Sequence, residues 1–335
     1  MHRVRSLVPV LLGAALLLAA CSSAAGEGDG DASEPGALHV VATTPLIAEF
    51  AQHVVGDDAE VESLIPLGAD LHSWQPPTSV ARTIAQADVL LVNGYNLEAS
   101  LLDVVTENAP RGVPLVVASA GLEPLEGGHD HGDDEDHDHE EGEDHEGDED
   151  HEAGDLVYAE GDPHLWLSVP NAIAYVENIR DALVAADAEH AAGYEERASA
   201  FVEELQALDG EIHETLSAIP QGRRTIVAFH DAYQYLAHEY GLEVVASVAP
   251  ANPNQETSAG AIADIVRQVE ALGVPAVFKE PEFSAQSLEL IAQESGARVL
   301  ELYNTPTDDV PTYAEMMRAN AAALVDGLAV DGGAG

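Results

Sequence analysis

The 335-residue chain carries 61 Asp and Glu against 12 Lys and Arg, a formal net charge of −49. Repulsion from phosphate on that scale excludes nucleic acid and anionic membrane surfaces as partners. Its single cysteine, Cys21, excludes an intramolecular disulfide,, while 46% hydrophobic residues leave ample material for one large or two medium cores,.

The chain opens with Arg3 and Arg5, runs apolar over residues 7–20, and reaches Leu18-Ala19-Ala20-Cys21 before turning polar. This resembles a bacterial lipoprotein signal: a charged start, a short apolar segment and small residues before the cleavage point. The run is too short to cross a bilayer as a helix. Residues 1–21 are therefore expected to be the signal with its lipid-bearing Cys21, and an uncleaved anchor beside an ordinary buried cysteine is the plainer alternative. Residues 22–36, rich in Gly, Ser, Ala, Asp and Glu, read as a flexible tether,. The folded part is then extracytoplasmic, held to the cell membrane by lipid.

Short apolar runs at 38–42, 61–65, 89–92 and 115–118 are separated by helical segments. Continuous rather than alternating apolar runs mark buried parallel strands, so residues 37–188 are expected to form an amino-terminal α/β lobe. Within it, residues 126–152 hold His129, His131, His137, His139, His145 and His151 among sixteen Asp and Glu. Such a stretch has nothing to bury and is expected to be a disordered loop. Imidazole interleaved with carboxylate is a ligand set for divalent transition metals, which makes the loop an auxiliary metal collector; a solubilising acidic linker is the alternative. Removing its sixteen acidic residues still leaves a charge of −33.

Residues 171–185 read as a helix entered after Pro170. Residues 189–219 place Tyr194, Ala198, Phe201, Leu205, Leu208, Ile212, Leu216 and Ile219 at steps of three or four, predicting one long amphipathic helix that links two lobes. Pro220-Gln221-Gly222 ends it, and apolar runs at 225–229, 244–248, 276–278 and 299–302 repeat the earlier rhythm, giving a carboxyl-terminal α/β lobe over 220–330,. The fold class is α/β, two lobes each with a mainly parallel sheet flanked by helices, joined by a rigid helix.

Three histidines lie where an apolar segment gives way to a loop: His72 in Asp70-Leu71-His72-Ser73-Trp74, His164 in Asp162-Pro163-His164-Leu165-Trp166, and His230 in Phe229-His230-Asp231-Ala232-Tyr233. Ligands of open α/β sheets bind outside the carboxyl ends of strands, so the three can converge in an interlobe cleft. Three imidazoles about one point prefer zinc. Taken singly, each is as readily a structural hydrogen-bonder. His53, His190, His213 and His238 lack such surroundings, and His213 reads as a solvated surface residue. Trp74 and Trp166 could wall the site or simply pack.

The segments Val41-Ala42-Thr43-Thr44-Pro45-Leu46, Leu64-Ile65-Pro66-Leu67-Gly68 before His72, Ala87-Asp88-Val89-Leu90-Leu91-Val92-Asn93-Gly94, Asp162-Pro163-His164-Leu165-Trp166-Leu167, His230-Asp231-Ala232-Tyr233 and Val277-Phe278-Lys279-Glu280-Pro281 together resemble the cluster A-I zinc and manganese solute-binding proteins of ABC transporters, and the lipoprotein start and acidic histidine loop look like the zinc branch. The resemblance implies one metal ion held between two lobes by His72, His164 and His230 and delivered to a membrane permease by a monomeric receptor. The ion is Zn2+, with Mn2+ the alternative: members that look manganese-selective usually carry Glu where this chain has His230, and imidazole favours zinc. For the fourth ligand Asp308, Glu280 and a water all remain open. Asp70, Asp162 and Asp231 are candidates to hold the outer imidazole nitrogens. Two further readings stay open: a metal-buffering or adhesive surface lipoprotein, and a zinc hydrolase, which no His-Glu-x-x-His or Gly-x-Ser-x-Gly motif supports.

Overall fold

The computed structural model describes residues 38–125, 156–249, 258–283 and 286–329. Strands β1 (Leu38–Ala42), β2 (Ala59–Ser63), β3 (Val89–Val92) and β4 (Leu115–Val117) lie in the spatial order β2-β1-β3-β4. Strands β5 (Thr225–Ala228), β6 (Glu243–Ser247), β7 (Ala276–Lys279) and β8 (Arg298–Glu301) repeat it as β6-β5-β7-β8. Every pairing is parallel. In both sheets the chain fills one side of its first strand and then crosses to the other, which opens a crevice at the carboxyl ends of β1 and β3, and again of β5 and β7.

The central strand β3, Val-Leu-Leu-Val, is buried throughout, as continuous apolar runs require. The edge strand β2 instead alternates, with Glu60 and Glu62 exposed. It lies two residues earlier than the apolar run at 61–65 suggests. Leu64 and Ile65 still donate to Ala42 and Thr43 (2.8 and 2.9 Å), but they turn inward beyond the strand, so the run marks a buried exit rather than the strand itself.

The helices are α1 (Pro45–Val55), α2 (Val80–Ile84), α3 (Ala99–Asn108), α4 (Val169–Ala186), α5 (Ala191–Leu216), α6 (Gln234–Tyr240), α7 (Ala259–Leu272), α8 (Gln286–Ser295) and α9 (Tyr313–Leu328). Their ends follow local chemistry. Thr44 Oγ1 accepts the Ile47 amide at 3.3 Å with Pro45 in the first turn. Thr312 Oγ1 accepts the Glu315 amide at 3.3 Å and donates to the Glu315 carboxylate at 2.9 Å, capping α9,. Helix α4 begins at Val169 with Pro170 inside its first turn, slightly earlier than expected, because a first-turn proline lacks only an N–H that has no helical partner.

Helix α5 is 26 residues long, about 39 Å at helical rise. Tyr194, Ala198, Phe201, Leu205, Leu208, Ile212 and Leu216 are all buried along one face. Phe201 meets Phe50 of α1 at 5.8 Å between ring centres, and Phe50 meets Tyr313 of α9 edge-on at 5.2 Å. The helix stops at Leu216, and Arg224 gathers the carbonyls of Leu216 (3.0 Å), Ile219 (3.2 Å) and Tyr240 (3.0 Å), a basic cap on its carboxyl end. Between α1 and α9, Glu49 accepts the Tyr313 amide at 2.9 Å. Burial lifts its carboxyl to about 7, against the Tyr313 hydrogen bond that favours the anion. Among the described residues no helix is long and apolar enough to cross a membrane.

Candidate metal centre

His72, His164 and His230 are brought together from three separate turns. His72 follows β2, in a turn where Asp70 accepts the His72 amide at 3.0 Å and the hydroxyl of Ser73. His164 precedes a 3-10 turn, Leu165–Leu167. Its segment is pinned to the first lobe by Asn93, whose amide donates to the Pro163 carbonyl at 2.9 Å while its oxygen accepts the Tyr175 hydroxyl at 2.9 Å. His230 lies two residues beyond β5, and Glu280 one residue beyond β7. The second-lobe components therefore leave the sheet where its strand order reverses, the position that open parallel sheets reserve for ligands.

The His72 and His164 Nε2 atoms are 3.1 Å apart, and those of His164 and His230 3.4 Å. Tetrahedral zinc at about 2.0–2.1 Å from each nitrogen separates its ligand atoms by about 3.3–3.4 Å. Ring centres stand 5.1, 5.2 and 5.7 Å apart. His164 and His230 are only 1% and 4% exposed, so their ring nitrogens need partners other than bulk water.

Two of the rings are oriented by carboxylates. Asp162 Oδ1 lies 2.8 Å from His164 Nδ1 and also accepts the His164 amide at 3.0 Å. Glu280 Oε2 lies 2.6 Å from His230 Nδ1. With a proton held on each Nδ1, the Nε2 lone pair is left facing the centre, the arrangement metal-binding imidazoles require. For His230, burial opposes the charged form, but the Glu280 carboxylate outweighs it and holds the imidazole above its ordinary value. Burial, and then the charge of Glu280, lift the Glu282 carboxyl to about 8. Trp166 and Phe283 wall the cage, at 5.4 Å from the His164 ring and 5.7 Å from the His230 ring. Trp74 is partly buried against the main hydrophobic core.

The structure does not bring Asp308 to the three histidines. The Thr307 and Val310 backbones bond to each other in both directions at 3.1 Å, a tight turn whose two corners are Asp308 and Asp309, both exposed. Asn304 is buried: its side-chain amide donates to Glu280 Oε2 at 3.2 Å and its backbone carbonyl accepts the Trp166 indole N–H at 2.7 Å. Glu280 Oε1 and Asn304 Oδ1 are buried without a hydrogen-bond partner. Of the carboxylates considered for the imidazoles, Asp162 takes the role, Asp70 holds the His72 turn, and Asp231 accepts the Gln234 amide at 2.7 Å. Glu280 is His230's partner. In the sequence Glu280 stands in the resembling segment Val277-Phe278-Lys279-Glu280-Pro281 as a candidate ligand, not as the partner of an imidazole. Cys21 and His129, His131, His137, His139, His145 and His151 lie outside the described residues, as do the tether and signal.

A convergent cage of imidazoles at the mouth of two parallel sheets defines an ion-binding receptor. The family described as "Zinc-uptake complex component A periplasmic" matches residues 40–327, and the chain belongs to that family. Its curated relatives include the manganese-binding lipoprotein MntA of Halalkalibacterium halodurans, 29% identical over 95% of this chain and 97% of that protein. Another is the zinc-binding lipoprotein AdcA of Streptococcus pneumoniae, 31% identical over 92% of this chain and 58% of that protein. Among solved structures, a manganese-bound single-residue variant of the periplasmic metal binding protein from Candidatus Liberibacter asiaticus superposes with a TM-score of 0.73 at 25% identity, covering 87% of this chain and 99% of that one. A further relative, scaA of Streptococcus gordonii, is described as a manganese ABC transporter substrate-binding lipoprotein, and this chain is a metal-binding receptor of the ABC-transporter class rather than an enzyme.

Proposed function

We propose that this receptor captures Zn2+ outside the cytoplasm in a cage made by His72, His164 and His230 and hands it to an ABC-type metal permease. The observation that carries the reading is the convergence of three Nε2 atoms, two of them 3.1 and 3.4 Å from the third, because an all-imidazole set suits zinc better than the harder manganese ion. A water completes the shell, since Glu280 is engaged on the outer nitrogen of His230 and Asp308 is held in an exposed turn. Cys21 carries the lipid that tethers a monomeric receptor to the membrane, as the lipoprotein names of the relatives support. The six histidines of residues 129–151 raise the local metal supply.

The second reading, a manganese receptor, is favoured by the names of several relatives. Calorimetry of the purified chain with each ion separates the two. Tighter binding of zinc at one site is expected, with singly substituted H72A, H164A and H230A each weakening it strongly; manganese binding as tightly as zinc would remove the zinc assignment.

A further inference from the structure

Asp209, His213 and Glu239 form a second convergence of ligand atoms, all within 4.8 Å of one another. Asp209 and His213 are one turn apart on α5, and Glu239 comes from α6. His213 Nε2 stands 4.0 Å from Asp209 Oδ2 and 3.7 Å from Glu239 Oε1, too far for hydrogen bonds. Ligand atoms around a zinc-sized cation at about 2.0–2.2 Å sit roughly 3 to 4 Å apart. The outer oxygens are already committed: Asp209 Oδ1 accepts the Tyr240 hydroxyl at 2.9 Å, and Glu239 Oε2 the Ser168 hydroxyl at 3.2 Å. Those bonds leave Oδ2 and Oε1 turned toward the imidazole. The His213 ring is itself set edge-on against Tyr240, with 4.7 Å between centres. Among the described residues the cationic neighbour that pairs with both carboxylates is His213. Two adjacent carboxylates with no Lys or Arg between them are a place where a divalent ion relieves repulsion.

We infer that Asp209, His213 and Glu239 form a second metal site, for a divalent transition cation of the zinc, nickel or copper class, separate from the interlobe cage. Mixed imidazole and carboxylate ligands select that class over magnesium or calcium. The site is half exposed, so it is weaker than the cage and fills after it. Its supports touch the cage machinery on both sides. Ser168 closes the turn that carries His164, and α6 continues from the loop that carries His230, so an ion here ties α5 to both ligand-bearing segments.

The test is residue-resolved carbethoxylation of the full-length chain at buffered free zinc, read by mass spectrometry. At a free zinc tenfold above the dissociation constant the site is about 90% filled, so His213 reactivity falls roughly tenfold, while exposed His238 stays unchanged. Protection is expected to persist in H164A and to vanish in D209N/E239Q, or in E239Q alone should the double variant lose helical signal. His213 as reactive in millimolar zinc as without it overturns the assignment. Protection that survives D209N/E239Q but disappears in H164A also overturns it, because His213 would then be reporting the cage.

Discussion

Asp162 and Glu280 determine which nitrogen of their imidazole faces the cage. Replacing either by its amide, D162N or E280Q, keeps the volume but removes the charge that favours the Nδ1 proton. Zinc affinity is expected to fall about 10- to 100-fold in each, less than in the histidine-to-alanine variants; calorimetry with unchanged affinity would deny them a positioning role. The raised His230 value has a definite sign. The metal-free imidazole keeps its proton to higher pH than an ordinary histidine, and metal must displace that proton,. Zinc affinity therefore falls as pH drops through the His230 value, and a titration flat down to about pH 5 would contradict imidazole ligation. The three histidines were legible because each sits in a compact motif. His230's partner was not, since Glu280 is 50 positions away and reaches it only through the β5–β7 pairing. Asp308 misled for the opposite reason: a carboxylate in the right stretch of sequence is carried outward by a four-residue turn that proximity along the chain does not reveal.

At the level of elements, the junction of α1 and α9 holds a titration that affects stability. Glu49 has an ordinary value of 4.5 and a folded one of about 7, so between those pH values the folded chain binds the proton more tightly than the unfolded chain. Stability is greatest below this window and is lost as pH rises through it. Glu49→Gln can still accept the Tyr313 amide without a charge. It should be more stable than the parent by on the order of 2 kcal/mol at about pH 8, with the gain gone near the unfolded value, as measured by denaturant unfolding at the two pH values. Gly327 makes a second element-level prediction. A Cβ there would lie 2.9 Å from Leu300 Cδ1 and 3.0 Å from Ala276 Cβ and Phe278 Cζ. Alanine's better helix propensity, about 1 kcal/mol, is opposed by overpacking of about 1–3 kcal/mol against a strand Cβ that cannot swing away. G327A is expected to lower the melting temperature. Apolar runs located the strands closely wherever both faces are buried, as in β3. The signal slipped at β2, where an exposed edge alternates Glu with Val and the longest apolar stretch belongs to the exit.

For the whole molecule, two similar sheets and a long connecting helix were readable because parallel strands and an amphipathic face both write period into sequence. The interlobe convergence was readable only as an expectation, since no local pattern encodes a distance between turns 92 and 66 residues apart. Deletion of residues 129–151 should leave one tight zinc site with near-parental affinity and remove only weaker uptake; loss of the tight site would transfer the main role to that segment.

The seam between β5 and β7 is narrow. A single register pair, Ala228 with Phe278, joins them, and His230 and Glu280 emerge directly above it. A cation gripped by His230, itself bonded to Glu280, acts as a rivet across the two strands, with His72 and His164 as its other plate. Loading should thus stiffen the carboxyl-terminal sheet well beyond the ligands themselves, and amide exchange in β5 and β7 would slow more on zinc addition than exchange in β1 and β3.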